Sequence, residues 1–178
     1  IPPTIFIQAL EQSGQIDRYT YWAIEAALHK ANHWRQQGRS IKIAVNISTM
    51  TLMNPLFLHK IHELVSNNSN GELLIFEITE NLFLSEYDRL ADTLALIHSL
   101  GIVLSIDDFG TGYSSLSRLK KLPVSELKID RSFISDMMRN PDDEVIVHST
   151  IELAHNLGLS VTAEGVENRE TYTRLAEL

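Results

Sequence analysis

Five short runs of apolar and β-branched residues punctuate the chain: Ile41–Ile47, Leu73–Ile78, Ile102–Ile106, Glu126–Ile129 and Leu159–Ala163. Their apolar positions are nearly continuous in Leu73–Ile78 and Ile102–Ile106, which predicts strands buried on both faces of a parallel sheet. Between them the apolar residues recur at helical spacing. Ile24, Ala27, Leu28 and Ala31 mark one helical face, in a helix predicted to start at an N-capping Asp17 and stop at Gly38. A second predicted helix, Tyr87–Leu100, carries Leu90, Leu94 and Ile97 and ends before Gly101. A third starts near Pro141, carries Ile146, Thr150, Leu153 and Leu157, and stops at Gly158. Helices are also predicted over Pro55–Val65, Ser114–Leu122 and Arg169–Leu178, and Asn67–Gly71 reads as a polar loop rather than a boundary. The order is one helix followed by five β/α units, so the expected architecture is a parallel sheet with right-handed crossovers in a single domain, 1–178.

Polar residues sit where each run ends. They are Asn46 and Ser48, Glu77 and Glu80, Asp107 and Asp108, Lys128 and Asp130, then Glu164 and Glu167. Asn46, Glu77, Asp107, Lys128 and Glu164 are separated by 31, 30, 21 and 36 residues, lengths suited to β/α units. Each unit therefore delivers a polar group to one edge of the sheet, the edge that carries active sites in β/α barrels. Carboxylates and an amide oxygen are donors for hard cations such as Mg²⁺, Mn²⁺ or Ca²⁺. Without a cation, so many acids at one edge would repel one another. The Asp107-Asp108 pair allows one carboxylate to bridge two ions, the arrangement that clamps both oxygens of a phosphoryl displacement. Lys128 is a charge inside a strand, placed to orient a water or to neutralise charge in a transition state. His29 and His33, like His59 and His62, have helical spacing without zinc-site context and read as surface or packing residues. Trp22 and Trp34 read as core or rim packing.

Composition narrows the partners. The 178 residues carry a net charge of −8 and no cysteine. An acidic chain lacks the basic face that DNA or RNA demands, so phosphates would have to be met through bound metal. The absence of cysteine excludes disulfides and thiolate metal sites and fits a reducing, cytoplasmic setting. No apolar run approaches the roughly 18 residues of a membrane span, and no signal peptide is visible.

Several stretches carry a resemblance to a known family: IPPTIFIQALEQSGQID (1–17), VNIS (45–48), FEITE (76–80), DDFGTGYSSLSRLKKLPVSELKIDRSFI (107–134) and AEGVE (163–167). Across essentially its whole length the chain resembles the EAL domains, bacterial cyclic di-GMP phosphodiesterases. The resemblance implies a β/α barrel that hydrolyses cyclic di-GMP to pGpG with two Mg²⁺ or Mn²⁺ ions. It implies Asn46, Glu77 and Asp107 as ligands of the first metal, and Asp107, Asp108 and Glu164 as ligands of the second. It further implies that Lys128 contacts the attacking water, that Glu80 anchors the loop after Asp107-Asp108, and that Glu167 supports the Glu164 loop. Lys128 and Glu164 are thus the expected catalytic residues.

The family's Glu-Ala-Leu motif lies upstream of the part matching Ile1–Phe6, and its last-strand Gln lies beyond the part matching Leu178. The expectation is therefore an incomplete (β/α) TIM-type barrel, with about five parallel strands of the eight that close such a fold. Its open sides are expected to be covered by a homodimer or a domain-swapped dimer. A chain so composed could also serve as a catalytically inactive cyclic di-GMP-binding or regulatory module, or be an inert remnant.

Overall fold

The computed structural model describes residues 1–66, 71–80, 87–112 and 116–178. Residues 67–70 of the expected polar loop, and 114–115 of the expected short helix, lie outside the described residues. The strands are β1 (Ile43–Asn46), β2 (Leu74–Thr79), β3 (Val103–Phe109), β4 (Glu126–Ile129) and β5 (Ser160–Ala163). They lie in an open parallel sheet in the order β1-β2-β3-β4-β5. Every apolar run identified in the sequence thus contains a strand, displaced by at most three residues at its ends.

The chain divides into two compact units, residues 1–78 with 88–104, and residues 79–87 with 105–178. The first unit begins with α1 (Pro3–Gln12), which the apolar pattern did not predict, and continues into α2 (Ile16–Gln36). The expected face of α2 is buried, with Ile24 and Ala31 fully so, and the helix packs on β1. Asp17 is not the N-cap; Gln15 is. Asp17 lies in the first helical turn, where its charge complements the helix dipole, and its Oδ2 accepts from Asn54 Nδ2 at 2.6 Å. A short α3 (Thr49–Leu52), capped by Ser48 through the Thr51 N–H, leads to α4 (Phe57–Ser66). The Phe57 ring is fully buried 6.1 Å from Tyr21 and 6.3 Å from Phe76, measured between ring centres. α5 (Tyr87–Ser99) buries Leu90, Leu94 and Ile97 as its spacing predicts. Gly71 is required where it stands, because a Cβ there would fall 2.0 Å from the Leu100 carbonyl oxygen.

In the second unit, β3 pairs with β4 and β4 with β5. The connecting helices are α6 (Leu116–Leu119), α7 (Arg131–Asp136) and α8 (Pro141–Asn156), and α9 (Arg169–Glu177) follows β5. Like α1 and α3, α7 is absent from the sequence expectation. α8 buries Val147, Thr150, Ile151 and Ala154. The expected face included Ile146, which is 38% exposed. Both sets have helical spacing, and contact with β4 and β5 selects the one rotated by a residue.

The histidines His29, His33, His59 and His62 are exposed on their helices. Trp22 is 62% exposed rather than part of the core, with Tyr19 5.7 Å away. Trp34 lies beneath the Lys30 ammonium at 5.1 Å. Among the described residues no helix is long and apolar enough to cross a membrane.

Candidate metal centre

Consecutive strand residues normally point to opposite faces of a sheet, so an Asp-Asp pair in β3 ought to divide its charges. An irregularity in the strand changes this. Ser105 pairs with Glu126, Ile106 with Leu127 and Phe109 with Ile129. Asp107 and Asp108 together therefore oppose the single residue Lys128, as in a β-bulge. The extra residue is accommodated by Asp108, the one described non-glycine residue with positive φ, at 55°. Aspartate tolerates this left-handed conformation better than most side chains.

Lys128 is only 9% exposed. Its Nζ lies 2.9 Å from Asp107 Oδ1 and 2.6 Å from Glu164 Oε1. Glu164 arrives from the neighbouring strand: Ile129 pairs with Ala163, and the Glu164 N–H donates to the Ile129 carbonyl at 3.1 Å. Carboxylate oxygens of Asp107, Asp108 and Glu164 all lie within 4.8 Å of one another. This proximity shows in the titration of Asp108. Burial first, then the charges of Asp107, Asp130 and Glu164 and a hydrogen bond to Asp130, hold its carboxyl above the usual carboxylate range. Asp130 moves the other way, held below that range chiefly by its hydrogen bond from the Ser132 hydroxyl.

The donor set fits a hard divalent cation. Three clustered carboxylates, two of them paired with one ammonium, leave an excess of two negative charges. The oxygens are of the type that Mg²⁺ and Mn²⁺ prefer.

Of the other expected site residues, Asn46 and Glu77 belong to the first unit, and Glu80 and Glu167 to the second. In the first unit, Asn46 and Glu77 are paired across β1 and β2, and Asn46 Nδ2 donates to Glu77 Oε2 at 3.1 Å. In the second unit, Glu80 is 1% exposed. Its Oε2 accepts from the N–H groups of Gly110 at 2.9 Å and Gly112 at 3.1 Å. A buried carboxylate thus holds the backbone of the loop that follows the acid pair. Glu167 is exposed and accepts from Arg131 Nη2 at 2.5 Å.

The sequence reading did not select Asp130 as a site residue. It neighbours Asp108 and caps α7 by accepting from the Ser132 N–H at 2.9 Å. The Asp-x-Ser spacing at 130–132 was the available signal, an N-cap pattern immediately after a strand.

Comparison with known proteins identifies the family. The model of the EAL domain matches residues 1–178, and the chain belongs to that family. It is 38% identical over 168 residues to the signaling protein YkoW of Bacillus subtilis, covering 94% of this chain and 21% of that protein. It is 36% identical over 180 residues to the bifunctional diguanylate cyclase/cyclic di-GMP phosphodiesterase MucR of Pseudomonas aeruginosa, covering 98% and 26%. A solved structure of the PaMucR phosphodiesterase in complex with c-di-GMP superposes with a TM-score of 0.95 at 35% identity, covering 99% of this chain and 72% of that one. The chain therefore spans about a fifth to a quarter of the length of these curated relatives.

Proposed function

We propose that residues 1–178 act as one domain that hydrolyses cyclic di-GMP to pGpG in the cytoplasm, using Mg²⁺ or Mn²⁺. The observation that carries this reading is the convergence of the Asp107, Asp108 and Glu164 carboxylates, with Lys128 paired to Asp107 and Glu164. Membership of the EAL family and the likeness to a cyclic di-GMP-bound phosphodiesterase support the choice of substrate.

In this reading Asp107, Asp108 and Glu164 would hold one ion, and Asn46 and Glu77 are the ligand candidates that the first unit offers for a second. Bound divalent ions supply Lewis acidity to the phosphate and lower the pKa of water at neutral pH. The chain's own residues do the rest. Lys128, paired with two carboxylates, orients the attacking water and offsets negative charge that develops on the phosphate. Glu80 restrains the loop beyond the acid pair, limiting the positions open to Asp107 and Asp108. Glu167 pairs with Arg131 at the surface and adds a minor support to the turn that carries Glu164.

A second copy of the chain is proposed to cover the open sheet. β5 is exposed at Ser160 and Thr162, and it stands last in the strand order, so its outer edge is suited to pairing.

The test is incubation of the purified chain with cyclic di-GMP and Mn²⁺, with products separated by chromatography and Asp107→Ala as control. Formation of pGpG that is lost in the control supports the enzyme. Calorimetric binding of cyclic di-GMP without turnover would replace it with a binding module.

A further inference from the structure

Two glycines adjoin the acid cluster, and both are packed against the same short helix. Gly110 follows the Asp107-Asp108 bulge and has φ 102°. A Cβ there would lie 2.9 Å from Phe133 Cε2. Gly165 follows Glu164 and has φ 72°. A Cβ there would lie 2.3 Å from Arg131 Cγ and 2.9 Å from its Cδ. The backbone on either side of the cluster therefore rests directly on side chains from the first turn of α7.

That turn is itself fixed. Asp130 is its N-cap, accepting from the Ser132 N–H and hydroxyl, and the Phe133 N–H donates to the Asp130 carbonyl at 3.2 Å. Asp130 also follows β4 directly, one residue after Ile129. Lys128, the cap and both supports thus lie within a span of six residues.

We propose that Arg131 and Phe133 are positioning residues that set the separation between the Asp107-Asp108 pair and Glu164. The inference rests on the metal-centre reading above and adds residues that touch neither metal nor substrate. Phe133 supports the loop after the acid pair through its ring. Arg131 supports the turn after Glu164 through the aliphatic part of its side chain. Its guanidinium pairs with Glu167, but those side chains are 63% and 68% exposed, and exposed pairs contribute little. The contact that matters is the packed stem, so an uncharged side chain of similar length should replace arginine.

The test is Mn²⁺ affinity of the full chain, measured calorimetrically without substrate, with urea unfolding of the metal-free protein alongside. Arg131→Ala and Phe133→Ala are expected to weaken Mn²⁺ binding by about 10-fold, the range found when supports behind metal ligands are removed. Arg131→Met, which keeps the stem, is expected to stay within about twofold of the parent on the same scale. A purely structural role would lower metal-free stability and leave the affinity of the folded protein unchanged. Arg131→Ala alters an exposed side chain and so carries the test even if Phe133→Ala fails to fold. Alanine variants that bind Mn²⁺ like the parent, while Asp107→Ala does not bind, would overturn the positioning role and leave the metal centre standing. Arg131→Met behaving like Arg131→Ala would overturn the stem argument. A parent chain that binds no Mn²⁺ would overturn the metal centre and this inference together.

Discussion

Replacing Lys128 with methionine removes the positive charge from the acid cluster and keeps most of the side-chain volume. In the parent, the ammonium meets Asp107 and Glu164 at 2.9 and 2.6 Å. The lysine and Asp107 side chains are 11% and 13% exposed, while Glu164 is 32% exposed. Breaking a buried pair leaves an uncompensated charge and costs about 3–5 kcal/mol. Glu164 retains some solvent, so the lower end applies, about 3 kcal/mol. For a chain of this size that corresponds to a fall of about 6–12 °C in the melting temperature of the metal-free protein. Mn²⁺ should partly reverse the loss, because the variant's carboxylates no longer have an ammonium competing for them. Ligand at 100 times its Kd stabilises by about 2.7 kcal/mol. Turnover should nevertheless fall by about 10²–10³-fold, as when a preorganised donor is removed from a reacting site. Thermal unfolding with and without Mn²⁺, together with pGpG formation, measures all three quantities. A metal-free variant as stable as the parent would refute the argument, because the three carboxylates would then need no cation.

Other outcomes follow from the same geometry. Asp108→Asn should raise metal-free stability, since it removes a charge held in an unfavourable place, and should abolish the Mn²⁺-induced rise in melting temperature. Because the folded-state pKa of Asp108 is raised, its contribution to metal-free stability is present at low pH and is lost as pH rises through the folded-state value. Mn²⁺ affinity should rise over that same window, which calorimetry at several pH values checks. Glu80→Ala removes an acceptor from two backbone N–H groups; a loss of about 2–3 kcal/mol and faster hydrogen exchange at Gly110 and Gly112 are expected. Phe57→Ala should cost about 3–5 kcal/mol in urea unfolding through the cavity it leaves. Light scattering should report a dimer at micromolar concentration, and a well-folded monomer would remove the proposed second copy.

Much of this fold was legible because its strands stand out as short runs rich in apolar and β-branched residues, although β1 and β5 alternate between exposed and covered positions rather than being buried on both faces. Glu126–Ile129 matched β4 residue for residue, and Leu90, Leu94 and Ile97 marked the buried face of α5. The face of α8 was misjudged because Ile146 and Val147 are one residue apart, and only contact with the sheet distinguishes them. α1, α3 and α7 escaped because each is too short to carry a long periodic pattern. Candidate residues at the site were legible as polar groups at strand ends. Their arrangement was not. No sequence rule showed that a bulge would set Asp107 and Asp108 together against Lys128, or that Asp108 would take a left-handed backbone. The supports from Arg131 and Phe133 were hidden for a related reason: a glycine's neighbours become visible only once the chain is folded.

The central claim is that Asp107, Asp108 and Glu164 form a metal centre, and Mn²⁺ anomalous scattering from crystals of the chain tests it most directly. The account predicts an anomalous peak with carboxylate oxygens of these three residues at about 2.0–2.2 Å, the spacing of small octahedral cations. No peak at saturating Mn²⁺, with Lys128 still bridging Asp107 and Glu164, would contradict it.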